Sequence, residues 1–191
     1  MSDLVVATAH WRALDREGED KCRLSPTAHG WLLVGHARFR DEGGFAALDY
    51  VVRCDEVWHT LSADIAGVHD DREVRFHIQR DSGAWLLNEI EHIGLDGVVD
   101  VDLSFTPATN LMPLRRLLEG RETSLRSSAA WLNYPEPALK RLDQTYARTG
   151  QPDVMSYMAE QTGYATQLGF DQTGFVTLYP DLWEGEVTHA G

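Results

Sequence analysis

The stretch Glu73-Val-Arg-Phe-His-Ile-Gln-Arg80 alternates apolar and polar side chains with period two, which puts Val74, Phe76 and Ile78 on one face of a strand and Arg75, His77 and Gln79 on the other. An α-helix cannot segregate such a pattern, so this segment commits the chain to a sheet with one face buried or lining a cavity. The same grammar runs from His29 to Trp85, in short apolar runs rich in β-branched and aromatic residues. Gly30–Phe39 and Phe45–Cys54 flank the turn cluster Asp41-Glu-Gly-Gly44, and Asp81-Ser-Gly83 leads the Glu73–Arg80 strand into Ala84–Leu87. These predict two hairpins. Ile90–Ile93 and Val98–Leu103, separated by Gly94-Leu-Asp-Gly97, predict two more short strands.

Pro137–Gly150 carries the clearest helical periodicity, with Pro at a first-turn position, Gly as a stop, and Leu139, Leu142 and Tyr146 at helical spacing. An internal repeat argues the other way. Asp55-Glu-Val-Trp58 and Asp143-Gln-Thr-Tyr146 share an Asp-x-x-aromatic pattern, and a hairpin follows each: Phe76–Leu87 around Asp81-Ser-Gly83, and Thr166–Tyr179 around Asp171-Gln-Thr-Gly174. If the halves, about 1–105 and 106–191, are equivalent, then 138–148 is a strand matching 50–60.

With 191 residues, 43% of them hydrophobic and 25% charged, the chain reads as one domain, 1–191, able to bury a core. Seventeen Lys and Arg stand against thirty Asp and Glu, a net charge of −13 that disfavours a nucleic-acid backbone and an anionic membrane surface. No apolar run approaches the ~20 residues of a membrane span, so no stable insertion is expected. Residues 1–10 lack a basic stretch followed by an apolar core, which reads as a cytoplasmic protein. Cys22 and Cys54 are too few and too isolated for a disulfide framework or a zinc site and read as small apolar groups.

The segment from Leu95 to Leu117 holds the residues most able to carry chemistry. Asp100 and Asp102 share a strand face, as carboxylates of a metal or glycosidase site do, although a solvated or arginine-paired face is the plainer reading. Thr106-Pro-Ala-Thr-Asn110 is a rigid turn in which Thr106, Thr109 and Asn110 bond back to the backbone. Pro113-Leu-Arg-Arg-Leu-Leu118 predicts a short helix whose Arg115 and Arg116 either meet an anionic headgroup or pair with the two aspartates. The chain lacks a nucleophile elbow, a phosphate-binding loop, His-Glu-x-x-His and Cys-x-x-Cys. Its eight histidines are dispersed; His29 with His36, or His69 with His77, are the pairs that could approach one another. No cofactor and no metal are expected.

Asp100-Val-Asp-Leu-Ser-Phe-Thr-Pro-Ala-Thr-Asn-Leu-Met-Pro-Leu-Arg-Arg-Leu117 resembles the central signature of the Putative glycolipid-binding family: Asp-x-Asp-Leu, then Thr-Pro-x-Thr-Asn, then Pro-Ile-Arg-Arg-Leu, with Leu114 here in place of Ile. Leu168–Trp183 is similar to the family's C-terminal aspartate, glycine, Tyr-Pro and Trp ending, which includes Tyr179 and Trp183. Tyr50–Thr60, with Trp58, resembles its first-half strand, with Leu61 standing where the family has an arginine, and Trp11–Glu19 also fits. The resemblance implies an all-β, mainly antiparallel fold: a long curled sheet forming two half-barrels by internal duplication, with one or two short helices. The expected function is non-enzymatic binding of a lipid-like or glycolipid-like amphiphile in preference to short sugars, because strand faces such as Val74, Phe76 and Ile78 offer apolar area to an acyl chain whereas the convergent hydrogen-bonding groups a sugar needs are not evident in the sequence. An enzyme using Asp100 and Asp102, and a protein-interaction module, are the alternatives. A homodimer stays open.

Overall fold

The computed structural model describes residues 4–190. Fifteen strands run through them: β1 (Ala7–Ala13), β2 (Gly18–Thr27), β3 (Gly30–Asp41), β4 (Gly44–Cys54), β5 (Thr60–His69), β6 (Arg72–Asp81), β7 (Ala84–Leu87), β8 (Ile90–His92), β9 (Asp100–Leu103), β10 (Ser124–Leu132), β11 (Leu139–Arg148), β12 (Val154–Ala159), β13 (Tyr164–Phe170), β14 (Val176–Tyr179) and β15 (Trp183–His189). Between β9 and β10 lie a 3-10 turn, Pro107–Asn110, and one helix, α1 (Leu111–Glu119). Both expected hairpins form, around Asp41–Gly44 and Asp81–Gly83.

All fifteen strands belong to one sheet, in the order β8-β7-β6-β5-β4-β3-β2-β1-β15-β14-β13-β12-β11-β10-β9. The pairing is antiparallel except for β9 on β10. Two meanders therefore meet at a central seam, where β1 pairs β15 from Ala7↔His189 to Ala13↔Trp183. The sheet is open, but its ends curl together. Thr60 N donates to Val99 O at 2.9 Å, Trp85 Nε1 on β7 donates to Val98 O at 3.1 Å, and Leu139 N on β11 donates to His92 Nδ1 on β8 at 3.3 Å.

Alternation drives this closure. On β4, Ala46, Leu48, Tyr50, Val52 and Cys54 are buried with exposed or half-buried residues between them. Two glycines let large rings lie flat across the inner face: Gly35 opposite Tyr50 and Gly185 opposite Trp11. A Cβ on Gly35 would sit 2.0 Å from Tyr50 Cζ, and one on Gly185 would sit 2.2 Å from Trp11 Cδ1. The helix divides the interior. Leu111 and Met112 join the larger core with Trp11, Phe39, Tyr50, Trp85 and Phe105, whereas Leu114 and Leu117 join a smaller one with Leu142, Tyr146, Tyr157 and Leu168.

The helix starts two residues before the Pro113–Leu118 expected from sequence, because the 3-10 turn runs straight into it through Asn110. Pro113 then occupies its first turn, where a missing N–H removes no intrahelical bond. Residues 139–148 form a strand, as the repeat argument required and against the helical spacing. Leu142, Gln144 and Tyr146 point inward with period two, and Gln144, a buried amide, breaks the apolar alternation that would have announced it. Val74 and Phe76 pack against the larger core and Ile78 belongs to it. That face is half-buried at Val74 and Phe76 and closed at Ile78.

Candidate functional site

Each element of the central signature ends in a defined set of partners. Asp100, on β9, is buried and accepts from Arg116 on both oxygens, Nη1 to Oδ1 at 2.8 Å and Nη2 to Oδ2 at 2.5 Å. Ser127 Oγ on β10 also donates to Asp100 Oδ2, and Arg116 Nη1 reaches the Trp58 carbonyl at 2.9 Å. Bidentate geometry and three further bonds, the third from Arg116 Nη2 to Ser127 Oγ at 3.0 Å, make this an ion pair that ties β9, β10, α1 and the turn before β5 together. Of the two arginines that the sequence set against the aspartates, only Arg116 pairs with Asp100 among the described residues. Arg115 emerges from α1 about 100° round from Arg116; it bonds Glu119 Oε1 at 2.5 Å and stacks over the Trp58 ring at 5.0 Å.

Trp58 is held from every side. Its ring stacks on Trp31 with centroids 4.4 Å apart, and its Nε1 donates to both oxygens of Glu119 at 3.1 and 3.2 Å. Its backbone sits at φ +66°, unfavourable for a bulky residue, in a turn whose amides at Val57 and His59 bond Asp55 Oδ1. Trp58 is thus a clamp on α1.

Thr106, Thr109 and Asn110 are also internal ties. Thr106 Oγ1 caps the 3-10 turn by accepting from Ala108 N at 3.0 Å and donates to Asp20 Oδ2. Tyr50 Oη donates to the same Asp20 oxygen at 2.8 Å. Thr109 Oγ1 accepts from Leu103 N at 3.3 Å, and Asn110 Nδ2 donates to Tyr146 Oη at 2.9 Å. Asp20 is wholly buried, and among the described residues its Oδ1 has no partner within hydrogen-bond geometry; burial pushes its carboxyl up to about 6, against the hydrogen bonds from Thr106 and Tyr50. Trp183 is buried in the larger core.

Asp102 and Tyr179 are the two expected site residues that the structure brings to one cavity. It measures about 260 Å³, lies in the half formed by β10–β14, and is lined by Asp102, Ser104, Trp131, Tyr157, Tyr164 and Tyr179 among others. Asp102 Oδ2 accepts from Gln144 Nε2 at 3.0 Å, and the same nitrogen donates to Tyr157 Oη at 2.9 Å. Burial, opposed by the Gln144 bond and helped by the nearby Asp100 charge, pushes the Asp102 carboxyl up to about 6. The tyrosines form one cluster: Tyr157 lies 5.1 Å from Tyr146 and 5.7 Å from Tyr179, and Tyr164 lies 5.7 Å from Tyr179. Burial pushes the Tyr157 phenol up to about 12 and that of Tyr179 well higher, so both stay neutral donors and acceptors.

The pocket thus offers aromatic faces and several polar groups converging on a small space. Sequence reading singled out Asp102 and Tyr179 without bringing them together, and did not single out Gln144, Trp131, Tyr157 or Tyr164. Tyr157 and Tyr164 fall outside the signature, and Gln144 sat in the segment that scanned as helix. The histidines do not meet: His36 bonds Asp49, His69 bonds Asp41 and Tyr134, and His77 bonds Asp64. Among the described residues no group of three or more His, Cys, Asp or Glu side chains is arranged to hold a metal, and no helix is long and apolar enough to cross a membrane.

An open antiparallel sheet rolled around a single short helix defines the chain as a barrel-like all-β protein. Two solved structures share this fold: a DUF1089 family protein from Pseudomonas aeruginosa, at 22% identity over 94% of this chain and 91% of that one with a TM-score of 0.65, and a beta-barrel-like protein of domain of unknown function DUF1849 from Brucella abortus, at 14% identity over 98% and 97% with a TM-score of 0.59. The chain belongs to the Putative glycolipid-binding family, whose model matches residues 8–185. No curated protein matches it significantly.

Proposed function

We propose that the chain is a non-enzymatic binding protein for a glycolipid-like amphiphile, with one sugar ring of the headgroup seated in the Asp102 pocket. The carrying observation is the convergence of Trp131, Tyr157, Tyr164 and Tyr179 with the Asp102 carboxyl and the Ser104 hydroxyl around about 260 Å³. Sugar rings offer C–H faces that pack on aromatic rings and hydroxyls that bond carboxylates, amides and phenols. The volume lies below the ~300–1,000 Å³ of pockets for drug-sized ligands, which suits a ring and the first few carbons of a chain, not a whole lipid. Leu142, Ala159 and Leu182 supply an apolar wall for those carbons. This differs from the sequence expectation, which placed acyl chains on the strand face at Val74, Phe76 and Ile78 and left short sugars out.

Binding without catalysis is favoured by the carboxylates. Glycoside hydrolysis ordinarily needs two carboxyl groups flanking the scissile bond. Asp102 lines the pocket, but Asp100 is locked to Arg116 and Ser127 and does not.

Isothermal titration with a series from methyl to dodecyl glycosides, kept below their micelle concentrations, tests the reading. Binding should begin with the methyl glycoside, tighten by about 0.8 kcal/mol per CH₂ over the first carbons, and then level off. Equal affinity for the matching fatty alcohols would remove the sugar from the site, and no binding at any length would reject the function. Release of nitrophenol from nitrophenyl glycosides would overturn the non-enzymatic part.

A further inference from the structure

Arg16 stands in the turn between β1 and β2 with its guanidinium carbon 4.8 Å from the Phe39 ring centre and 5.9 Å from that of Trp183. Stacking on aromatic faces fixes the plane of the group. Among the described residues its Nε is buried without a hydrogen-bond partner, and its one ion contact there is a long 3.8 Å to Asp15, the preceding residue. A buried donor without an acceptor is unfavourable and rare. Arg12 meets Glu184, Arg40 meets Glu17, Arg53 meets Asp64 and Arg116 meets Asp100, whereas the Nε atoms of Arg16 and Arg115 are buried without an acceptor among the described residues.

A cavity of about 580 Å³ opens beside Arg16, lined also by Trp11, Ala13, Arg38, Phe39 and Phe45. Its acidic members are engaged, Glu17 accepting from Arg40 Nε at 3.2 Å and Glu19 lying 3.5 Å from His10. Arg38 donates through Nε to His36 at 2.8 Å and, although Glu19 lies opposite it across the β2–β3 ladder, forms no ion pair among the described residues. The cavity therefore pairs two arginines lacking close acid partners with apolar aromatic walls.

We propose that this cavity binds a tetrahedral oxyanion, a phosphate or sulfate group, with Arg16 as its principal donor. The guanidinium fork matches such an anion with two parallel N–H bonds. The aromatic walls suit an alkyl group attached to it. Leu14 N donates to Leu182 O at 2.9 Å, which places this turn against the segment carrying Leu182 of the Asp102 pocket. The oxyanion site does not rest on the sugar reading, since none of its residues lines that pocket.

Titration of the full chain with octyl phosphate, octyl glucoside and inorganic phosphate tests the proposal, read by calorimetry and by the ¹⁵N–¹H signal of the Arg16 Nε group. Octyl phosphate should bind and shift that signal. Arg16→Gln should weaken it by about tenfold or more while leaving octyl glucoside within about twofold. Arg16→Lys, which keeps the charge and loses the fork, should fall between them and covers the case in which Arg16→Gln fails to fold. Inorganic phosphate binding as tightly as octyl phosphate would support the oxyanion site and assign it to a free anion. An unmoved Arg16 signal, or equal affinity in wild type and the Lys variant, would overturn the assignment.

Discussion

Arg116 grips both oxygens of the buried Asp100, at 2.8 and 2.5 Å, whereas its neighbour Arg115 reaches neither aspartate of the signature. Removing one partner of a buried pair leaves an uncompensated charge. Asp100→Ala should therefore lower stability by about 3–5 kcal/mol. Arg115→Ala, which loses a partly exposed pair and a cation–aromatic stack, should cost about 1–2 kcal/mol. Thermal unfolding of both variants checks this, and equal losses would refute the assignment of the clasp to Arg116.

The flat lie of Tyr50 across Gly35 predicts a steric effect at a distance. Gly35→Ala forces the Tyr50 ring away from a Cβ placed 2.0 Å from its Cζ, and so pulls its hydroxyl off Asp20. Overpacking of this kind costs about 1–3 kcal/mol. Urea unfolding should show the loss, and a midpoint equal to wild type would show that the ring has room to move.

Stability should also depend on the raised carboxyl of Asp102. Below about pH 4 it is protonated in both folded and unfolded chains and costs nothing. Between about pH 4 and 6 the unfolded chain gives up its proton first, so stability declines as pH rises, levelling above the folded value of about 6. Asp102→Asn should therefore stabilise at pH 7, by on the order of 2–3 kcal/mol, with little change at pH 4. Denaturant titrations across that range test the sign, and a loss of stability at pH 7 would contradict it.

Tyr179 walls the small pocket and is partly exposed, so its removal should leave the fold standing. Tyr179→Ala should weaken methyl glycoside binding by about tenfold, as expected for a lost aromatic contact of about 1 kcal/mol or somewhat more. Calorimetry on the variant measures it, and undiminished affinity would place the sugar elsewhere.

The β character and the hairpins were legible in the sequence because they rest on local signals, alternation at Val74, Phe76 and Ile78 and turn residues at Gly44 and Gly83. The strand at 139–148 was legible only through comparison of the two halves, since Lys140 and Arg141 are both exposed and Gln144 is buried. The pairing of Asp100 was half legible. Sequence placed two arginines on a helix near two aspartates, but which one faces the strand depends on helix rotation, and that is set by Leu111, Leu114 and Leu117 packing into two cores. The pocket was least legible, because Ser104, Trp131, Tyr157 and Tyr179 come from strands and turns that meet only when the sheet curls.

The β1–β15 seam has a consequence for how the chain is assembled. Trp11 pairs with Gly185, so the two meanders are joined by the ladder with the longest sequence separation in the molecule. During synthesis, β1–β8 can zip up strand by strand while β1 still presents a bare edge at what will become the middle of the sheet. That edge is covered only when β15 arrives. Loop closure over such a distance slows folding and prolongs exposure of an unpaired strand. Synthesis stalled before Trp183 should therefore leave a nascent chain prone to pairing with its own copies.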